Sequence, residues 1–431
     1  MQWITENLFV GNKLPTGKVE TSDGIRLDYR NIRRPIICFC SQGDNITPPQ
    51  QALGWILDLY ADVDEIRACG QTIIYTVHPS VGHLGIFVSG GVAKKEHREF
   101  ASNIDFIDCL PPGLYEAVLT QKTDDAADAD LVATDFIAKF EARTLDDVRA
   151  IGTNSEEDER RFAAVARLSE INTGLYRTLA QPMVQAMVTP VQAEMAMKLH
   201  PMRQQYEIFS DKNPVMGAVQ TLADAARRDR RPVADNTPFW QMQEAASEQI
   251  VSSLNAFRNL RDAAIESWFL AVFGNPLLQA SLGLNASDDP PRPHPGLSPD
   301  LRVLVERKIT DLKARMSDGG IKEACIRAML FVRIPEGVAD ARRFEFIRRM
   351  REANQTDLET FKLTVREQFF MLLLDEDGAI RELPELLRGT DGEQIRHALE
   401  IIRDVSHIAS EPEGETAERL AEIETIFEAH L

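Results

Sequence analysis

The sequence predicts an α/β segment followed by a large all-helical extension, and three observations carry that expectation. Two continuous apolar, β-prone runs, "PIICFCS" and "QTIIYTV", are each followed by a helical pattern. Such runs suit parallel strands covered on both faces, and strand–helix alternation is the signature of an α/β layer. Beyond the acidic stretch "KTDDAADAD" the chain reads as almost entirely helical. There, "EEDERRFAAVARLSEINTGLYRTLAQPMVQAMV" and "PFWQMQEAASEQIVSSLNAFRNLRDAAIESWFLAVFG" carry apolar residues at three- and four-residue intervals.

Each element has its own signal. Residues 1 to about 30 hold a short helical pattern and then "LPTGKVETSDG", a turn-rich connector. After the first apolar run, "ITPPQQALGWILDLY" offers Thr47 as a helix cap and Pro48 or Pro49 in the first turn, where a missing amide proton costs nothing. Leu53, Ile56, Leu57 and Tyr60 then recur at helical spacing. After the second run comes the helical "GVAKKEHREFASNI". The stretch "LNASDDPPRPHPGLSP" is too poor in apolar residues to pack and reads as a linker. Past it, "EACIRAMLFVRI", "FEFIRRMREA", "FKLTVREQFFMLLLD" and "ERLAEIETIFEAHL" make a further helical unit. The expected division is 1–120 for the α/β portion, 121–285 for a middle helical region, 286–299 for the Pro-rich linker and 300–431 for a C-terminal helical domain. No solenoid-type repeat is present.

Length and composition narrow the function. A chain of 431 residues is long for one domain, and its 44% hydrophobic content supplies real cores. A formal net charge of −19 argues against a general nucleic-acid binder, because phosphate would be repelled. Five cysteines, an odd number scattered along the chain, read as reduced thiols of a cytosolic protein. The N-terminus lacks the pattern of a secretory signal. No apolar stretch approaches the roughly 20 residues that span a bilayer. A cytoplasmic protein without a membrane span is the expectation.

The chemistry-bearing pair is Asp44 and His83, each just past one of the two apolar runs, with Gly43 and Gly82 immediately before them. In α/β-type hydrolases the acid and the histidine follow the nucleophile on loops after later strands. The histidine accepts the proton of a serine or cysteine as that atom attacks an acyl carbon. A carboxylate on its other ring nitrogen fixes the tautomer. The plainer alternative is that Asp44 caps the helix beginning near Thr47 and His83 packs in a turn. His78 in "HPSVGH" could suggest a metal pair, but no cysteine or carboxylate sits beside it at ligand spacing, so no metal and no cofactor are expected. The nucleophile is missing: neither Gly-x-Ser-x-Gly nor Gly-x-Cys-x-Gly occurs. Cys38 and Cys40 lie inside the strand and read as core residues, and Ser89 follows the histidine, on the wrong side of the chain order. Two parallel strands cannot form a stable sheet alone. The chain is therefore expected to be the C-terminal part of a longer protein, with a missing N-terminal segment or a protein partner completing the sheet.

The segments "RNIRRPIICFCSQGDNITPPQQALGWI", "GQTIIYTVHPSVGHLGIFVSGGVAKKEH" and "LPPGLYE" resemble those of large bacterial proteins related to poly(3-hydroxyalkanoate) synthases, many labelled only as domains of unknown function. That resemblance implies an incomplete α/β-hydrolase sheet followed by a helical extension, with Asp44 and His83 as triad acid and base. It also implies an acyltransferase or hydrolase acting on a hydroxyacyl-CoA or ester, inactive without a nucleophile from elsewhere. "GGIKEACIRAMLFVRIPEG" and "REQFFMLLLDEDGAIRELPELL" resemble a TerB-type helical domain more weakly. Asp375, Glu376 and Asp377 there do not reach an EF-hand ligand set, and an acidic helix end is the plainer reading. The basic cluster in "AARRDRRPVADN" could dock a CoA phosphate, but it reads first as a helix end whose cations offset the dipole. The methionines of "PMVQAMVTPVQAEMAMKLHPM" and the aromatics Phe239, Trp240, Trp268, Phe269 and Phe273 read as packing residues of the middle region. A second function class remains open: a non-catalytic helical interaction or scaffold protein with a vestigial α/β-hydrolase segment.

Overall fold

A computed structural model describes residues 2–123, 126–152, 154–230, 234, 237–284, 294–353 and 357–431. It resolves into two compact units, Met1–Gly11 with Ser155–Pro291, and Asn12–Asn154 with Arg292–Leu431. Of the linker drawn at 286–299, residues 286–293 lie outside the described residues.

The unit formed by Asn12–Asn154 and Arg292–Leu431 holds all the strands found among the described residues. A short antiparallel hairpin, β1 (Val19–Glu20) with β2 (Arg26–Leu27), occupies the segment expected to be a plain connector. The two apolar runs are strands β3 (Ile36–Ser41) and β4 (Thr72–His78), paired in parallel from Ile36↔Ile73 to Ser41↔His78. Three further strands extend the sheet in the order β3-β4-β5-β6-β7, giving a mixed α/β architecture. β5 (Gly113–Gln121) runs parallel to β4, β6 (Phe136–Ala142) antiparallel to β5, and β7 (Val338–Asp340) antiparallel to β6.

β6 corrects the expectation that the chain past the acidic stretch is almost entirely helical. Its sequence "FIAKFEA" is rich in helix formers, but Ile137, Ala138 and Phe140 are buried in the sheet layer, and pairing with β5 and β7 outweighs propensity. β7 is a three-residue strand in the C-terminal region, too short to show any period.

Alternation along β4 sorts the core. Ile73 and Tyr75 face Leu53, Ile56 and Leu59 of the helix Pro49–Leu59. Ile74 faces Phe106 and Ile107 of the helix Ile104–Cys109 on the other side. Pro49 opens the first of these helices as expected. Thr47 is not its cap: Pro48 holds that position without a side-chain hydrogen bond.

Past β7 the helices Leu358–Leu374, Gly392–His407 and Glu415–Glu428 enclose the helix Ile321–Arg333 around Ala328, Phe331, Met371, Ile402 and Phe427. Within that core Arg327 is fully buried. It donates to Gln368 Oε1 at 2.7 Å and to the Ala379 carbonyl at 2.8 Å. Burial, opposed only by the more distant Glu382 and Glu323, pulls its guanidinium down to about 10. A second buried cation, Lys362, ties its helix to the helix Ile104–Cys109 through Asp105 at 3.3 Å and Asp108 at 3.1 Å, and also meets Glu359 of its own helix at 3.2 Å.

The other unit is helical among its described residues. Its longest helices, Glu156–Leu175 and Pro238–Phe273, meet where Phe162 packs on Phe269 at a ring separation of 5.3 Å. Phe269 and Phe273 therefore pack as expected. Trp268 meets Phe273 edge-on at a ring separation of 6.1 Å yet stays 61% exposed, while Phe239, Met183, Met187, Met195, Met197 and Met202 are more than half exposed rather than packed. Helical spacing identifies one face of a helix, and whether anything covers that face is a separate matter.

The register of β3 on β4 presses their exits together. Gln42 N donates to the His78 carbonyl at 2.9 Å, and Ser41 Oγ donates to the Val81 carbonyl at 2.6 Å. A Cβ at Gly43 would lie 2.2 Å from the Ser80 carbonyl oxygen and 2.9 Å from that of Val81. Gly82 meets nothing within 4 Å, so only the first of the two glycines is demanded by close approach.

Two outcomes follow for stability. Gly43→Ala should cost about 1–3 kcal/mol in denaturant unfolding, as overpacking does, while Gly82→Ala stays near neutral. Gln368→Leu should cost about 3 kcal/mol by stranding a buried charge, and adding Arg327→Met should restore most of the loss.

Candidate functional site

Asp44 and His83 come together. Asp44 leaves β3 through a turn closed by its own amide on the Ser41 carbonyl at 3.2 Å. His83 leaves β4 through the turn Pro79–Gly82, held by the Ser80 and Val81 amides, which donate to His78 Nδ1 at 3.2 and 3.1 Å. His83 Nδ1 lies 2.9 Å from Asp44 Oδ2. The Asp44 side chain is fully buried, whereas His83 is 33% exposed.

Every acceptor position on Asp44 has a use. Oδ1 receives the amides of Ile46 at 2.8 Å and Thr47 at 2.9 Å. Oδ2 receives the Thr47 hydroxyl at 2.7 Å as well as the imidazole. Burial resists ionisation here. The Thr47 amide, the His83 ring, the Ile46 amide and the Thr47 hydroxyl outweigh it and hold the carboxyl well below the usual carboxylate range. An ionised carboxylate only accepts, so it is Nδ1–H of the ring that faces Asp44, and Nε2 is the ring nitrogen turned away from it. Asp44 does not cap the helix Pro49–Leu59, since Pro48 holds that position; its Oδ1 closes the turn before the helix, and its Oδ2 faces the imidazole.

Thr47 is the residue that sequence reasoning misplaced. Its hydroxyl also sits 3.2 Å from His83 Nδ1. The signal was available in "DNIT", an aspartate with a hydroxyl three residues on, the spacing of a side-chain-closed turn. Around the pair Ile46, Leu84, Phe87 and Val88 are each at least 60% exposed, forming an apolar rim beside a half-open imidazole. Among the described residues β3 pairs with β4 alone, so its outer edge, next to Asp44, is open.

The remaining candidates fall away from this centre. Burial pushes the Cys38 thiol up to about 11 and the Cys40 thiol up to about 12, which makes them inert core residues. Ser89 caps the next helix, accepting from the Val92 amide at 3.5 Å. His78 spends Nδ1 on two backbone amides, and among the described residues no three His, Cys, Asp or Glu side chains converge to hold a metal. Asp375 caps the helix Glu376–Arg381 by accepting the Gly378 amide at 2.9 Å, and Glu376 pairs with Arg419 at 2.9 Å. Arg227 and Arg228 close the last turn of the helix Met216–Arg228, while residues 231–233, 235 and 236 of that basic stretch lie outside the described residues. No described helix is long and apolar enough to cross a membrane.

A second concavity, missed because β5 and β6 were missed, opens where the sheet forks. β4 and β5 pair only as far as Tyr75↔Glu116, after which β5 follows β6. The fork leaves a cleft of about 750 Å³ lined by Gln42, Tyr75, Glu116, Arg143 and Asp147 among others. Arg143 is held there by Glu116 at 2.9 Å and by Glu141.

Comparison with known proteins gives a family and no activity. The chain is 51% identical over 431 residues to a Rhizobium meliloti protein described as "Uncharacterized protein in ackA 5'region", covering 99% of this chain and 59% of that protein. The chain thus spans well under two thirds of the length of the curated relative it matches. No solved structure matches it. The family profile described as "Protein of unknown function (DUF3141)" matches residues 1–316. On that match and that identity, the chain belongs to the DUF3141 family.

Proposed function

We propose that this chain carries the acid–base half of an α/β-hydrolase-type acyl-transfer site, related to poly(3-hydroxyalkanoate) synthases and acting on a hydroxyacyl thioester or ester. The observation that carries the reading is the 2.9 Å contact between a buried carboxylate and a half-exposed imidazole on the exits of adjacent parallel strands. The open edge of β3 beside it leaves room for a further strand bearing a serine or cysteine, supplied by a segment of the longer protein. The 59% coverage of the Rhizobium meliloti relative is in keeping with such a segment.

The chemistry assigned to the pair is a proton shuttle. As the incoming serine or cysteine adds to the acyl carbon, its proton passes to His83 Nε2. Asp44 steadies the resulting imidazolium through Nδ1–H. The carbon–sulfur or carbon–oxygen bond of the substrate then breaks, and the leaving thiolate or alkoxide takes the proton back from Nε2. Transfer of the acyl group to water or to another hydroxyl repeats the sequence in reverse roles. The apolar rim of Ile46, Leu84, Phe87 and Val88 gives the arriving segment or the acyl chain a dry surface, where the charge stabilisation is worth more than in water.

The scaffold reading draws on the exposed apolar helices of the other unit, and it predicts no covalent acyl adduct in the longer protein. The test is turnover of a hydroxyacyl-CoA by the protein at its full family length. His83→Ala should lower it by about 100-fold or more, the usual worth of a general base, and Asp44→Asn should lower it on a similar scale. Equal turnover by wild type and His83→Ala overturns the proposal.

The carboxylate predicts a pH signature as well. Because its folded value is depressed, the stability that Asp44 contributes is present above the ordinary carboxylate range and is lost as pH falls through the lower folded value. The stability gap between wild type and Asp44→Asn should be constant near neutrality and close only in strong acid, as read by denaturant unfolding at stepped pH.

A further inference from the structure

The 36-residue helix Pro238–Phe273 stands largely uncovered. Its ring contacts gather at its C-terminal turns, and every residue from Gln241 to Trp268 is exposed. A helix with so few partners is marginal in water, because most helical stability in proteins comes from packing an apolar face. This helix has such a face. Phe239, Ile250, Leu254, Phe257 and Trp268 recur near the 3.5-residue spacing of a two-helix seam, with the small Ala246 and Ala264 between them. Only one charged side chain, Arg261, falls within that stripe.

We propose that this face pairs with the same helix of a second copy, antiparallel about a two-fold axis near Ser253 and Leu254. A two-fold interface must be self-complementary. Counting outward from that midpoint sets Ile250 opposite Phe257, Phe239 opposite Trp268, and Ala246 opposite Arg261. Ile250 meets Phe257, an aromatic meets an aromatic, the one cation meets an alanine, and at the axis Leu254 falls opposite Ser253. A parallel pair would instead set Arg261 against its own copy, a like-charge contact that costs stability. A stable interface takes about 800 Å² from each partner; all five large apolar side chains of the stripe are more than half exposed, and with Ala246, Ala264 and the stem of Arg261 beside them they supply the apolar part of such an area.

Light scattering coupled to gel filtration, with cysteine cross-linking, tests the pairing. Run on the intact chain, it should give a dimer mass. The change Leu254→Glu with Phe257→Glu should return a monomer with thermal unfolding of the sheet-bearing unit unchanged. Ser253→Cys, at the axis, should cross-link to its copy under mild oxidant. Gln243→Cys should not, since antiparallel pairing holds the two copies of that residue roughly 30 Å apart along the helix. A wild-type monomer at tens of micromolar overturns the proposal. So does efficient cross-linking through Gln243→Cys, which would mean parallel pairing. Failure of Ser253→Cys to cross-link in the protein of full family length also overturns it, since another segment would then be covering the face. None of these outcomes bears on the Asp44–His83 pair.

Discussion

The parallel register of β3 on β4 is the constraint from which the candidate site follows. Ser41 opposite His78 fixes how far each strand runs before it turns. The Ser41 hydroxyl then bonds across the gap, to the carbonyls of His78 at 3.1 Å and Val81 at 2.6 Å. Those bonds hold the two exits so close that only a glycine fits at position 43. A one-residue slip would shift the exits by about 3.3 Å and turn Ile73 and Tyr75 away from the helix Pro49–Leu59. The buried faces thus enforce the register, and the register brings a carboxylate within hydrogen-bond distance of an imidazole thirty-nine residues later.

The readable parts of the sequence were those where burial on both faces writes a continuous apolar run. β3 and β4 are such runs, and Asp44 and His83 could be named because they stand where those runs stop. β5 was hidden by its opening, since "LPPGLYE" puts two prolines directly before the strand and a glutamate inside it. β6 was hidden by composition, because Ala, Lys and Glu favour helices wherever neighbouring strands do not decide the matter. β7 has three residues and no period to detect. The fork cleft was illegible for the same cause: its lining comes from strands recognised only once they pair.

Buried charge separates the helical regions in a way that apolar spacing does not. Arg327 and Lys362 both lie inside the sheet-bearing unit, yet they are handled differently. Lys362 is met by three carboxylates, two of them on the helix Ile104–Cys109, so it works as a clamp between helices distant in sequence. Arg327 has only an amide oxygen, a backbone carbonyl and a thioether for company. It is an uncompensated cation whose removal together with its pocket should cost little. The other unit also carries an ion pair between segments distant in sequence, Arg177 with Glu6 at 3.0 Å, but on an exposed arginine, and its apolar faces stay open. Apolar residues at three- and four-residue intervals occur in both, so that spacing alone does not say which faces find long-range partners.

Asp44 shows why closing a local turn and facing a histidine need not be rival roles. A carboxylate offers about four lone-pair directions. Here two amides and a hydroxyl take three of them and lock the group ionised and immobile. The fourth points at His83. A carboxylate left free in a loop would rotate and hydrate, and the imidazole beside it would lose its preferred tautomer. Anchoring by the local turn is therefore what fits Asp44 to orient a histidine. The imidazole, one third exposed beside an apolar rim, is the half of the pair that still lacks a dry surrounding. For the proposed proton transfer the described residues leave two conditions unmet, a nucleophile and the exclusion of water. On that proposal, a strand added at the open edge of β3 would bring both to the same place.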